Sequence, residues 1–274
     1  DAISLAGDTP DGQKAIKKMI AKGANVTHVQ ADTNYTALAY AASGGYREVV
    51  DLLLQKGASR SPRTKPYTCV PGSEIQCSIS DMARRGDHLE LALYLDGKDT
   101  TAFRRSIEYA VINGDVSLLQ AHIKNNANLN QKQPISGSSL LHLAVKNKQF
   151  RILKALLDAG ADPNQTNIWG NSALRYAITD GTLEMGKALV DAGAKTGHRQ
   201  IGGCGEGSDE FDWSLGYMKE LSFYMIEKGA VDPQNPGLIF QSLHGQDAKD
   251  IQLAQMLLDR GARPTQADVD RLEL

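Results

Sequence analysis

Three cysteines, six histidines and one glycine-rich run are the residues of this chain whose types could carry covalent, metal or phosphate chemistry. Their spacing argues against most of it. The chain contains no Cys-x-x-Cys, His-Glu-x-x-His, Gly-x-Ser-x-Gly or Walker-type loop, the short patterns that hold zinc, expose a nucleophilic serine or cradle a nucleotide. Gly202-Gly-Cys-Gly-Glu-Gly207 has the glycine density of a phosphate cradle, but no Lys-Ser/Thr follows it and no strand pattern precedes it. The histidines are scattered, and no acid, base and nucleophile share one short segment. The expectation is therefore a chain with no catalytic residues, no metal site and no cofactor. Cysteine offers a different chemistry. Cys69 and Cys77 flank a Pro71-Gly72 turn, which permits a local disulfide worth roughly 2.5 kcal/mol by loop-closure entropy. Three free cytosolic thiols are the alternative. A disulfide would point to an exported protein, with the bacterial periplasm favoured over the cytoplasm.

Charge narrows the partners further. With 30 Lys+Arg against 32 Asp+Glu the formal net charge is −2, so no global basic field attracts nucleic acid or an anionic membrane. No apolar run approaches the roughly 20 residues that cross a bilayer, so membrane insertion is not expected. The chain starts at Asp1 with no initiator Met, basic segment or apolar signal core, which reads as a mature or trimmed form. Two local charge clusters stand out. The stretch 59–76 carries Arg60, Arg63 and Lys65 among three prolines, and the Gly-rich stretch 195–212 ends acidic with Glu206, Asp209, Glu210 and Asp212.

The elements that must position these residues come from internal repetition, which is best sought before any fold is named. Segments 34–58, 138–162 and 171–194 align, each reading as a short helix, a tight turn, a second helix and a Gly-Ala stop. Gly23, Gly57, Gly160, Gly193, Gly229 and Gly261 are separated by 34, 103, 33, 36 and 32 residues, and 103 is three periods. Turn positions before the second helix fall at Gly12, Gly45, Gly86, Gly114, Lys148 and Gly181, with weaker equivalents near Tyr217 and Lys249. Their spacing predicts a longer finger in the third repeat and a shorter one in the fourth. Thr36, Ser139 and Ser172 are placed to cap first helices, and the Ala41-Ala42 pair lets neighbouring helices approach.

This pattern resembles the ankyrin repeat, whose first helix opens on Thr-Pro-Leu-His-x-Ala-Ala. The motif has drifted here to Thr36-Ala-Leu-Ala39, Ser139-Leu-Leu-His142 and Ser172-Ala-Leu-Arg175, while Leu-Leu-x-x-Gly-Ala-Asp-x-Asn survives at 156–164. A tetratricopeptide reading shares the period but lacks the hairpin segment and the Gly-Ala stop. The resemblance implies an all-α ankyrin-repeat solenoid of about eight helix-turn-helix units with β-hairpin fingers. It makes residues 1–274 one domain, with a truncated first repeat 1–30, an extended finger 59–76, an irregular loop 195–212 and a C-terminal cap 262–274. Cys204 then lies about four layers, on the order of 40 Å, from the other cysteines and stays unpaired.

The resemblance also implies a non-catalytic protein-binding module with a concave groove. His142 falls where the imidazole hydrogen-bonds backbone between repeats, a structural role. Groove positions by that register are Tyr40, Asp81, Tyr109, Leu143 and Tyr176, followed by Ser43, Arg84, Arg85, Ile112, Asn113, Lys146, Asn147, Thr179 and Asp180. Tyr and Arg are frequent interface hot spots. Tyr35, Ile168 and Trp169 add apolar groups at finger tips. The partner is expected to be another protein, and the chain alone a monomer. The narrower expectation is an immunity protein that inhibits a secreted antibacterial toxin or effector; the alternative is a cytosolic adaptor or a host-directed effector fragment.

Overall fold

The computed structural model describes residues 10–30, 35–60, 67–68, 76–196, 214–215, 217–232 and 248–263, and the chain divides into two compact units. The first comprises 1–106 with 132–137, the second 107–131 with 138–274. Among the described residues the only strands are one antiparallel pair of two residues each, and the fold is an all-α repeat solenoid.

In the first unit, α1 (Pro10–Ala21) precedes two helical pairs, α2 (Ala37–Ser43) with α3 (Arg47–Gln55) and α4 (Ile79–Arg85) with α5 (Leu89–Leu95). Strands β1 (Tyr67–Thr68) and β2 (Gln76–Cys77) lie in the connection between those pairs, with Tyr67 opposite Cys77. The second unit holds α6 (Ile107–Asn113) with α7 (Val116–Lys124), α8 (Leu140–Lys146) with α9 (Phe150–Asp158), and α10 (Ala173–Thr179) with α11 (Leu183–Asp191), followed by α12 (Lys219–Glu227) and α13 (Ala248–Asp259). Lys249, expected near a turn, lies instead in the first turn of α13. Within each unit first helices pack on first helices and second on second: α2 on α4, α6 on α8 on α10, and α7 on α9 on α11 on α12.

Each first helix of a pair has seven residues, too short to persist alone in water, so its buried face must stabilise it. Its fifth position is small and buried throughout, with Ala41, Ala83, Val111, Ala144 and Ala177, which lets neighbouring helices approach. The N-termini are capped: Thr36 Oγ1 accepts from the Ala39 N–H at 3.2 Å, and Ser172 Oγ from the Arg175 N–H at 3.2 Å. The turn into the second helix needs one left-handed residue, supplied by Gly45, Gly114 and Lys148 with φ of 74°, 74° and 55°. In the third repeat that residue is Asp87 (φ 60°), not Gly86, and its buried carboxylate accepts from Ser136 Oγ at 2.5 Å. Gly181 is required for another reason. A Cβ there would stand 2.7 Å from the Ala177 backbone.

Fingers between pairs repeat one device. Asn25, Asp99, Asn128 and Asp162 each accept the N–H two residues on, at 2.9 to 3.0 Å, which folds the chain away from the helix. In the second unit Asn130 Oδ1 then accepts the Asp162 N–H, and Asn164 Oδ1 the Lys195 N–H, both at 2.9 Å, so these two fingers are bonded to the next repeat. This is the physical content of the Ala-Asp-x-Asn pattern. Residues 1–9, 31–34, 61–66, 69–75, 197–213, 216, 233–247 and 264–274 lie outside the described residues, and with them Arg63, Lys65, Cys69, Cys204 and the acidic stretch 206–212.

Candidate protein-binding surface

Which side chains a partner can touch follows from the frame of the seven-residue first helix. Its fourth position points into the core: Met82, Ala110 and Leu143 are all 0% exposed. Leu143, expected in the groove, is thus a core residue, because its helix turns that position onto the neighbouring repeat. Tyr40 and Tyr176 occupy the same fourth position, where a phenol is too long to be covered, and both are half-buried. Each hydroxyl bonds its own finger. Tyr40 Oη donates to Gln30 Oε1 at 2.6 Å, and Tyr176 Oη accepts from Asn167 Nδ2 at 3.2 Å. Tyr109, expected in line with them, is the third residue of α6 and is rotated by about 100° on the helix. The expected row of three tyrosines is therefore out of register, and two of its members are struts between helix and finger.

The third position is also largely internal. His142 Nδ1 accepts from the Ser139 N–H at 3.1 Å and lies 2.7 Å from Ser139 Oγ, while Nε2 lies 2.9 Å from the Asn171 carbonyl in the next repeat. A carbonyl only accepts, so Nε2 carries the proton and Nδ1 is free to accept. Tyr176 packs edge-on against this ring at 5.6 Å. Asp81, at the third position of α4, accepts from the Ser78 N–H at 3.1 Å and pairs with Arg84 at 2.9 Å. Arg84 also reaches Ser80 Oγ and Asp96. Burial pushes the Asp96 carboxyl up, but the Ser80 hydroxyl and the Arg84 guanidinium outweigh it and hold the group below its ordinary range. Arg85 Nη1 donates to Tyr35 Oη at 2.9 Å, and Tyr35 in turn packs edge-on against Tyr40 at 5.1 Å. The expected basic pair, together with Tyr35 at its finger tip, is thus committed to contacts inside the first unit.

What faces solvent in the second unit is the end of each first helix. Asn113 and Lys146 close α6 and α8 and are exposed, as is Asp180 just beyond α10. These residues are polar and chemically different at nearly equivalent positions. Asn113 Nδ2 donates to the Tyr109 carbonyl at 3.0 Å, and Asp180 accepts from Thr179 Oγ1 at 2.8 Å, so both are oriented. Beside them stands the finger 159–172, whose organiser the sequence reading missed. Buried Asn167 accepts the N–H groups of Trp169 and Asn171 at 3.0 Å through Oδ1 and donates to Tyr176. Its backbone N–H bonds the Asn171 carbonyl, so one side chain and one ladder bond close the turn. The signal was the run Asn167-Ile-Trp-Gly170, an Asx turn ending on a left-handed glycine. That turn sets Ile168 in solvent and leaves Trp169 half-buried.

Buried Cys77 ends β2 and is disulfide-bonded; Cys69, the partner expected from the spacing, lies outside the described residues. Among the described residues no group of three or more His, Cys, Asp or Glu could hold a metal ion, and no helix is long and apolar enough to cross a membrane. The exposed set offers hydrogen bonds, single charges and apolar contact.

Comparison with known proteins agrees with this frame. The family described as "Ankyrin repeats (3 copies)" matches residues 107–200, and "Ankyrin repeat" matches 33–65. The ankyrin repeat and KH domain-containing protein mask-1 of Caenorhabditis elegans is 27% identical over 166 residues, 59% of this chain but 6% of that protein. The solved human ASB11 ankyrin repeat domain is 19% identical, with 82% of this chain and 96% of that one covered, at a TM-score of 0.37 that adds nothing to the assignment. A repeat of seven-residue capped helices, Asx-turned fingers and the two family matches lead to one conclusion: the chain belongs to the ankyrin-repeat family.

Proposed function

We propose that the chain is a non-catalytic module that holds another protein against the first-helix face and finger of its second unit. One observation carries this reading. Core positions of the first helices repeat the same small or apolar types, whereas the exposed end positions Asn113, Lys146 and Asp180, with Trp169 beside them, differ from repeat to repeat. A rigid frame with interchangeable tips is how repeat scaffolds encode partner choice. Trp169 is the apolar anchor and the polar ends set specificity. The narrower form of the proposal makes the partner a secreted antibacterial toxin and this chain its inhibitor in an oxidising compartment, with Cys77 paired to Cys69. The oxidised Cys77 supports that compartment.

The test is capture of partners from source lysate by the wild type and by a Lys146→Glu/Asp180→Lys variant of the same melting temperature. A protein held by the wild type and lost by the variant is expected. Equal capture by both places binding elsewhere on the chain.

A further inference from the structure

The second unit has another surface that the proposed function does not use. On its second-helix side, α9 and α11 enclose a groove of about 450 Å³ lined by Phe150, Lys154, Leu157 and Asp158 from α9 and by Glu184, Lys187, Ala188 and Asp191 from α11. The α9 residues are spaced four, three and one apart, which puts them on one face of the helix. Phe150 is 40% exposed at the rim. The equivalent first residues of α3, α5, α7 and α11 are Arg47, Leu89, Val116 and Leu183; the three apolar ones are half-buried, so Phe150 is the exposed apolar side chain of the set.

We propose that this groove is a two-fold self-association site, in which α9 of a second copy lies antiparallel to α9 of the first. The charges carry the argument. Lys154 and Asp158 are one helical turn apart, yet neither makes an ion pair among the described residues, whereas Arg47 and Asp51 of α3 close one at 3.0 Å. An isologous contact brings residue i to j and j to i. In an antiparallel crossing centred near Leu156, Lys154 of one copy meets Asp158 of the other, and the same pair forms again by symmetry. Leu157 of each copy then lies opposite Ala155 of the other, and Phe150, six residues or about 9 Å from the centre, stands at either end of the contact. The far wall is fixed: Asp191 accepts from Tyr224 Oη at 2.6 Å and pairs with Lys228 at 3.3 Å. With Asp191 already paired to Lys228, the lining charges left are Lys154 and Lys187 against Asp158 and Glu184, a balance that selects a copy of itself over a strongly charged partner.

Sedimentation equilibrium of the full chain from about 1 μM to about 1 mM tests this. A concentration-dependent dimer is expected, abolished by Phe150→Asp and by Phe150→Arg, the residue type that opens α3. Lys154→Glu and Asp158→Lys should each weaken the dimer about tenfold, since each change places like charges together twice. The Lys154→Glu/Asp158→Lys double variant should restore it to within about twofold of the wild type. All variants are first matched for helicity and melting temperature, because these positions are solvent-facing and folding should survive. A monomer at every concentration, a dimer indifferent to Phe150→Asp, or a double swap that fails to restore association overturns the proposal. None of these outcomes touches the first-helix reading, which is read by partner capture.

Discussion

Replacing His142 with Ala tests the idea that side-chain bonds between repeats, and not only apolar stacking, hold the second unit together. The imidazole accepts from Ser139 and donates to the Asn171 carbonyl of the next repeat at 2.9 Å, all in a buried setting. Truncation orphans the Ser139 N–H, at about 1–3 kcal/mol when water cannot replace the partner, and takes one of two donors from the Asn171 carbonyl, which keeps the Asn167 N–H, at about 0.5–1.5 kcal/mol. Loss of the edge-on Tyr176 contact adds about 0.5–1.5 kcal/mol. The expected total is about 2–6 kcal/mol, a large share of an ordinary domain's stability. Ser139→Ala removes one hydroxyl and should cost about 1 kcal/mol. Because that hydroxyl acts on the same imidazole, the double variant should cost little more than His142→Ala alone. Urea unfolding followed by circular dichroism gives all three values. A cost below about 1 kcal/mol for His142→Ala, or full additivity with Ser139→Ala, would refute the reasoning.

Three further outcomes follow from the same geometry. Leu143→Ala should destabilise by about 2–5 kcal/mol in urea melts, the range for a fully buried leucine, where a surface position would cost under about 0.5 kcal/mol. Tyr176→Phe keeps the ring but strands Asn167 Nδ2, so limited proteolysis should cut the 159–172 finger sooner while the melting temperature moves little. Asp191 should titrate below the ordinary carboxylate range, held down by the Tyr224 hydroxyl and then by Lys228, so its contribution to stability is present above the unfolded carboxyl value and is lost as pH falls through the depressed folded one. Tyr224→Phe should raise that value in a carboxyl-detected NMR titration, and an unchanged titration would sink the assignment.

The period, the helix pairs and the caps at Thr36 and Ser172 were legible because they depend on local chemistry, namely a small fifth residue, a hydroxyl before the helix and a glycine after it. Register within the third and fourth repeats was not. There the opening motif reads Ser78-Ile-Ser-Asp81 and Ser106-Ile-Glu-Tyr109, and without a histidine to fix the frame, Asp81 and Tyr109 were read one residue out of step. One residue on a helix is a different face. Tyrosine type misled as well: a phenol at a core-facing position and a phenol in a groove look alike until the hydroxyl's partner is known, and Gln30 and Asn167 sit nine to ten residues upstream. Arg84 and Arg85 read as a free basic pair because Asp96 and Tyr35, which hold them, come from another helix and another repeat.

The account rests on the second unit presenting the ends of its first helices and one finger to a partner. Hydroxyl-radical footprinting of the chain with and without a captured partner reads this directly. Protection should fall on Asn113, Lys146, Trp169 and Asp180 and spare Phe150 and Leu157 on the second-helix side. Protection confined to the second-helix side, or absent from all four of those residues, would contradict the account.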